Sequence, residues 1–239
     1  MATTTSAHRS GEWLAAFMLS LLTLPLVVAV AATSVAVYRR SPFFVHQRIG
    51  RHGRPIPFVK LRTLPPETNP YVDKHALRAA RVPWVMQLVR RVHLDEIPQL
   101  WLVLTGHLSL VGPRAEMAVL HQRIPAEAAA ERLAVRPGVT GLWQISAHCD
   151  GLICDRVEYD RLYVQHRSAR LDLWILWRTV KKVVYGHRVH LFEVPRWAIG
   201  PRLAPPTAPV PSTADPIIDL TADAASLAVS SEASPAVAG

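Results

Sequence analysis

The sequence predicts an α+β fold, mostly helical, in which a small β-hairpin follows an N-terminal membrane helix interrupted by proline. Three observations predict it. Trp13 to Val37 contains no charged residue, and two short aromatic and β-branched runs flank Gly50, Gly53 and Pro55. Most of the remaining chain places apolar residues at helical spacing. At 239 residues the chain has room for one cored unit with an anchor and a tail.

The membrane helix comes first. As one straight rod the apolar run reaches ~37 Å, enough to cross a bilayer with tilt. Pro25 near its middle lacks a backbone donor and clashes with the preceding turn, which predicts a kink and two arms of ~18 Å each. Neither arm spans alone. Two geometries stay open, a kinked crossing or a helix-break-helix that enters and leaves one leaflet. A cleaved signal peptide, with Arg9 as its basic region and Ala29-Val30-Ala31 as its cleavage site, is disfavoured because the apolar run continues past that site. Arg39, Arg40, Arg48 and Arg51 follow the run and place the next domain on the cytoplasmic side.

The chain divides into a polar lead (1–12), the membrane helix (13–38), a cytoplasmic catalytic domain (39–200) and a disordered Pro/Ala/Ser tail (201–239). In the domain, Phe43 to Arg48 and Ile56 to Leu61 read as hairpin strands joined by a basic loop. Pro65, Pro66 and Pro70 break the chain. Ala76 to Arg91 favours helix apart from Pro83, and a second helix puts Leu94, Ile97, Leu100, Trp101 and Leu104 on one face before Gly106 ends it. Leu108 to Arg114 is a compact loop, and Met117 to Leu133 is helical by propensity. Leu162 to Tyr185 alternates apolar and basic residues at helical spacing. That pattern fits a helix in the membrane interface and equally one packed on the core with a solvated basic face.

Composition narrows the chemistry. Lys and Arg number 27 against 18 Asp and Glu, a net charge of +9 that favours anionic partners without choosing among them. Two cysteines exclude a disulfide framework. His148, Cys149 and Cys154 lack a fourth ligand at zinc spacing, and His187 and His190 read as solvated. The chain has no Gly-x-Ser-x-Gly elbow, P-loop or dinucleotide fingerprint.

The most informative stretch is His93-Leu94-Asp95-Glu96-Ile97-Pro98-Gln99-Leu100. Pro98 suits a first helical turn, which predicts a helix starting near Ile97 with Asp95 and Glu96 at its N-terminus and free N–H groups facing a bound phosphate. Adjacent residues do not share a helical face, so two neighbouring carboxylates can do two jobs. One can attack phosphorus while the other holds a divalent cation. The plainer reading is a capping pair of acids. Cations nearby in sequence favour the first: Arg114 in a tight Gly-Pro loop, Lys60 and Arg62 two apart on one side of a strand, and Arg136 before Pro137-Gly138. Together they suggest a diphosphate substrate.

Several ordered blocks resemble the bacterial sugar transferase family, the polyprenyl-phosphate phosphoglycosyltransferases. They are Phe43 to Gly50, Phe58 to Thr63, Leu94 to Trp101, Ser109 to Arg114, Arg136 to Gln144, and the later Tyr159-Asp160, Tyr163-Val164 and Leu171-Asp172-Leu173. The resemblance covers roughly residues 12 to 187. It implies a monotopic enzyme of the minimal form with a re-entrant, proline-broken membrane helix at the cytoplasmic face of the inner membrane. It also implies that Asp95 is the nucleophile that takes a sugar phosphate from a UDP-sugar, that UMP leaves, and that polyprenyl phosphate then attacks. Glu96 would help bind Mg²⁺. Lys60, Arg62, Arg114, Glu116, Arg136, Asp160 and Asp172 match polar positions of the family and are assigned to the substrate site. Leu24 in place of a common Ser, Ala115 in place of a common Pro, and Ser146-Ala147-His148 depart from the pattern, as does the segment from Pro65 to Val89. Bilayer lipids are expected partners and nucleic acid is not; a homodimer is compatible with the sequence. The alternative function is a non-catalytic, membrane-tethered basic module that binds anionic lipid or nucleic acid.

Overall fold

A computed structural model of the chain describes residues 6–68 and 82–199. The expected tail at 201–239 and the first part of the expected helix from Ala76 lie outside the described residues. Helix α1 runs from Ser6 to Tyr38 and includes half of the expected polar lead. Pro25, where the sequence predicts a kink, lies inside this helix, which runs as one element through that position. The carbonyl that Pro25 leaves without an N–H donor is that of Leu21. Thr23, the nearest hydroxyl, donates instead to the Leu19 carbonyl at 2.7 Å.

Two faces of α1 differ sharply. Ala16, Val27, Val30 and Ser34 are buried against the domain, whereas Leu22 is 76% and Leu21 59% exposed. The outward face is a run of Leu, Val, Phe and Met, and α1 is long and apolar enough to cross a membrane. The helix touches the domain near both of its ends. Glu12 Oε1 accepts from the Leu110 N–H and Trp13 Nε1 donates to the Leu104 carbonyl. Farther along, Ser34 Oγ donates to the Arg62 carbonyl and the Tyr38 hydroxyl to that of Thr63.

The hairpin forms as predicted, with β1 (Phe43–Ile49) antiparallel to β2 (Pro55–Leu61) and Phe44 opposite Lys60. Its tight loop sets Gly53 at φ 75°, a left-handed conformation that favours glycine. Helix α2 (Trp84–Arg91) begins only after Pro83, which cannot donate within a helix. Helix α3 is short, Gln99–Leu104.

Two long helices, one predicted from propensity and one from spacing, are each divided. Met117 to Leu133 becomes α4 (Ala118–His121) and α5 (Ala126–Leu133), because Pro125 interrupts the ladder and caps the second piece. Leu162 to Tyr185 becomes α7 (Glu158–His166) and α8 (Ala169–Tyr185), separated at Ser168. Ser168 Oγ accepts from the Leu171 N–H, an N-cap that starts a new helix rather than continuing the old one.

A second sheet was not evident in the sequence. Strand β3 (Ser109–Val111) pairs in parallel with β4 (Gly138–Thr140), just before α6 (Leu142–Ile145). The backbones approach so closely that a Cβ on Gly138 would lie 2.0 Å from the Gly112 nitrogen, and one on Gly141 2.1 Å from its oxygen. Glycine at these positions is a packing requirement. The main core gathers Phe58, Leu108, Leu142, Ile145, Leu171 and Ile175. A smaller cluster of Val27, Val30, Leu61 and Val89 ties α1 to β2 and α2, with Leu94 and Ile97 packed on it. The acid pair at 95 and 96 lies between those last two residues in sequence, in a turn that packs on β2 and α2.

Candidate active site

The segment bearing the two acids is built as a tight turn. His93 adopts φ 59°, ψ 24°, a left-handed conformation that redirects the chain from α2 into a 3-10 turn, Leu94–Glu96. Asp95 and Glu96 therefore precede α3 in a turn of their own. Two of the turn's N–H groups are used inside it, because Glu96 N–H donates to the His93 carbonyl and Ile97 N–H to that of Leu94. The positive charge around the turn comes from side chains on neighbouring elements.

Lys60 leaves β2 and places Nζ 2.5 Å from Glu96 Oε1. Arg114, just past the Gly112-Pro113 loop, brings Nη2 to 3.8 Å from the same oxygen and Nε to 3.7 Å from Glu116. Arg48 lies behind them, 8% exposed, donating to the Ala115 carbonyl with Nη1 3.7 Å from Glu116. Its guanidinium packs 4.7 Å above the Phe58 ring, and its Nε donates to His46 Nε2 at 2.8 Å. Three cations thus converge on two glutamates around one edge of the hairpin.

The adjacent acids differ in ionisation. Burial pushes the Asp95 carboxyl up to about 6, against the opposing pull of Lys60 and Arg90. Burial also disfavours Glu96⁻, but Lys60 and Arg114 overcome it and hold that carboxyl well below the usual range. His46, half-buried and near Arg48, Lys60 and Arg114, is lowered to about 3, first by its partial burial and then by those cations, and stays neutral. Arg48 is lowered to about 10, first by burial and then by Arg114.

The sequence-predicted residues fall into three groups. Asp95, Glu96, Lys60, Arg114 and Glu116 come together. Arg62 turns away, its Nε donating to the Ser41 carbonyl at 2.8 Å, and serves the entrance to the hairpin. Arg136 belongs to another region, where its charge meets those of Arg9, Arg51 and Glu12 at the start of α1. Asp160 and Asp172 lie behind the site. Asp160 is fully buried with Oδ2 2.7 Å from Arg132 Nη1, and Asp172 Oδ1 lies 2.9 Å from the Tyr163 hydroxyl. Arg48, His46 and Arg132 carried no predicted role. Arg48 and Arg132 shared one readable signal, a charged residue at a core-facing position of its element.

The sequence of the chain matches the family described as bacterial sugar transferase over residues 3–186. The chain belongs to that family. The exopolysaccharide production protein ExoY of Rhizobium meliloti is 35% identical to this transferase over 195 residues, 74% of the chain and 85% of the relative. The UDP-galactose-lipid carrier transferase of Erwinia amylovora is 32% identical over 184 residues, 70% of the chain but 38% of the relative. The undecaprenyl-phosphate galactose phosphotransferase of Salmonella typhimurium is 34% identical over 155 residues, 58% of the chain and 32% of that protein. The transferase thus spans most of the first relative and about a third of the other two.

The donor set also tests the expected Mg²⁺. Among the described residues no three His, Cys, Asp or Glu side chains cluster as a ready-made metal cage. One ionised carboxylate, Glu96, beside a second acid suits an ion that takes one or two protein carboxylates and completes its shell with substrate phosphate and water.

Proposed function

We propose that this transferase moves a sugar 1-phosphate from a UDP-sugar to polyprenyl phosphate through a phosphosugar ester on Asp95, at the cytoplasmic face of the inner membrane. The observation that carries the reading is the divergence of two adjacent acids. An environment that drives neighbouring carboxyl groups apart separates their roles. Glu96, locked as an anion, is suited to cations; Asp95, desolvated and raised to about 6, is ionised at neutral pH yet poorly solvated. A poorly solvated carboxylate is a competent nucleophile toward phosphorus.

In the first step an Asp95 oxygen forms a bond to the sugar-linked phosphorus, and the bond from that phosphorus to the bridging oxygen breaks. UMP leaves with the bridging oxygen and its electron pair. In the second step a phosphate oxygen of the polyprenyl carrier bonds to the same phosphorus and Asp95 is released. Lys60 and Arg114 neutralise the diphosphate oxygens as charge shifts toward UMP. Mg²⁺, when bound by Glu96 and the diphosphate, supplies further neutralisation of the same charge.

The membrane geometry supports this assignment. From Trp13 to Ser34 a straight helix covers ~32 Å, about the thickness of the hydrocarbon core. A crossing helix would carry one end to the far side of the bilayer. Contacts of Glu12 and Trp13 with the domain at one end, and of Ser34 and Tyr38 at the other, favour a re-entrant helix with both ends on the side of the domain. Leu94 and Ile97, on either side of the acids, rest on the cluster formed by this helix, so a lipid-borne phosphate has a short path to Asp95.

A UMP-release screen over UDP-sugars, with polyprenyl phosphate and Mg²⁺, tests the reading. Release dependent on one UDP-sugar and abolished in Asp95→Asn is expected. Parental rates in that variant would eliminate the covalent route, and lipid binding with no UMP release from any donor would favour a non-catalytic basic module.

A further inference from the structure

Arg114 presents its guanidinium to Glu96 from a loop whose backbone is held at several points. Gly112 N–H donates to the Thr140 carbonyl and Gly138 N–H to that of Pro113, so the loop rests on β4. The Arg114 carbonyl itself accepts from Arg132 Nη2 at 2.6 Å. Arg132 lies in the last turn of α5 with a side chain only 4% exposed. Its Nη1 is 2.7 Å from Asp160 Oδ2, on α7, in a side chain that is 0% exposed. One residue turn farther along α7, the Tyr163 hydroxyl lies 3.0 Å from the Val111 carbonyl and 2.9 Å from Asp172. Two acids therefore stand behind the same loop, and neither reaches the cleft.

We propose that Arg132 is a positioning residue: oriented by Asp160, it pins the Arg114 carbonyl and thereby sets where the Arg114 guanidinium meets Glu96 and the donor diphosphate. Asp160 then acts two residues removed from the substrate, and Asp172 supports Tyr163 against the other end of the loop. The physical case rests on the forked guanidinium. Its two terminal nitrogens meet an acid and a carbonyl at once, Nη1 as an ion pair and Nη2 as a hydrogen-bond donor, from one rigid plane that an ammonium does not reproduce. A sealed ion pair is weak evidence for net stability, because apolar residues of similar size fill such a site about as well. Geometry imposed on a neighbouring group is the best use for it here.

The inference rests on the proposed role of Arg114 in holding diphosphate, and the test separates the two. Arg132→Met combined with Asp160→Leu removes both buried charges together and retains volume, so the full-length chain keeps its unfolding midpoint. In that variant, affinity for Mg·UDP by calorimetry and kcat/KM for UMP release fall about 10- to 100-fold, the scale of a misplacement near 1 Å. In an Arg114→Ala background the same pair changes neither quantity by more than about twofold, since groups acting through one another are not additive. Arg132→Lys, which retains charge but not the fork, does not restore the loss. Hydrogen exchange of the amides across residues 109–116 rises in the double variant without any substrate present. Undiminished affinity and rate in the folded double variant, an additive loss in the Arg114→Ala background, or unchanged exchange at 109–116 each overturns the proposal. A parental chain that releases no UMP counts against the reaction alone, because the exchange measurement still reads the relay.

Discussion

Glu96 and Asp160 are both carboxylates beside an arginine, yet the protein uses them in opposite ways. Glu96 is met by Lys60 and Arg114 in a site where its side chain keeps 18% of its exposure, and its ionised form is favoured. Asp160 meets Arg132 with no exposure at all, and burial outweighs the attraction, raising it to about 6. The difference teaches that a single cation does not compensate full desolvation, whereas two cations at a partly open edge do. One pair is arranged to receive a charged ligand, the other to hold its neighbour still.

The largest effect that can break this contrast is chemical. Asp95→Asn is expected to reduce UMP release about 10⁴-fold or more, as loss of a covalent nucleophile does. Glu96→Gln is expected to reduce it less, about 10²- to 10³-fold, with a higher Mg²⁺ requirement in initial-rate assays. An equal loss in the two variants would erase the division of labour between the acids.

The sealed pair responds through stability. Arg132→Met alone leaves Asp160 buried without its partner and is expected to cost about 3–5 kcal/mol in denaturant unfolding, a loss that the Asp160→Leu partner substitution recovers. Asp95 supplies the converse. Its folded pKa lies above the usual value, so ionisation is disfavoured in the folded state; the associated stability is present at low pH and is lost as pH rises from about 4 through about 6. Asp95→Asn is therefore expected to stabilise the chain near pH 7 by up to about 3 kcal/mol, seen as a higher unfolding midpoint. The same ionisation makes kcat/KM fall about tenfold per unit as pH drops below about 6. The smallest effect belongs to the surface: Arg161, which grips Glu131 at 2.7 Å on the outside of the same α5–α7 contact, is worth about 0.5 kcal/mol or less on substitution by Ala.

What the sequence made legible was local. The hairpin announced itself through aromatic and β-branched runs around glycines, and α1 through an uncharged stretch of bilayer length. The acid pair stood out because two carboxylates preceded a proline-started helix. Pro125 and Ser168 were readable as a break and a cap, yet helix propensity around the first and apolar periodicity across the second masked them. Nonlocal facts left no such trace. The β3–β4 bridge joins three-residue strands nearly thirty positions apart, and Asp160 finds Arg132 across a similar interval. Strand and loop position together with the family pattern suggested Arg62 and Arg136 for the substrate site, and the pattern alone suggested Asp160 and Asp172; a pattern records which side chains recur and not through which neighbour they act. Arg132, a cation on the buried face of α5 beside Ala128, and Arg48 on β1 signalled that something charged lay inside.

The most direct test of the account is to incubate the chain with Mg²⁺ and its UDP-sugar in the absence of polyprenyl phosphate, and weigh the intact protein. A mass gain equal to one sugar phosphate, mapped by peptide sequencing to Asp95 and discharged on adding polyprenyl phosphate, is the predicted result. UMP release with no adduct on Asp95 at any time point would contradict it.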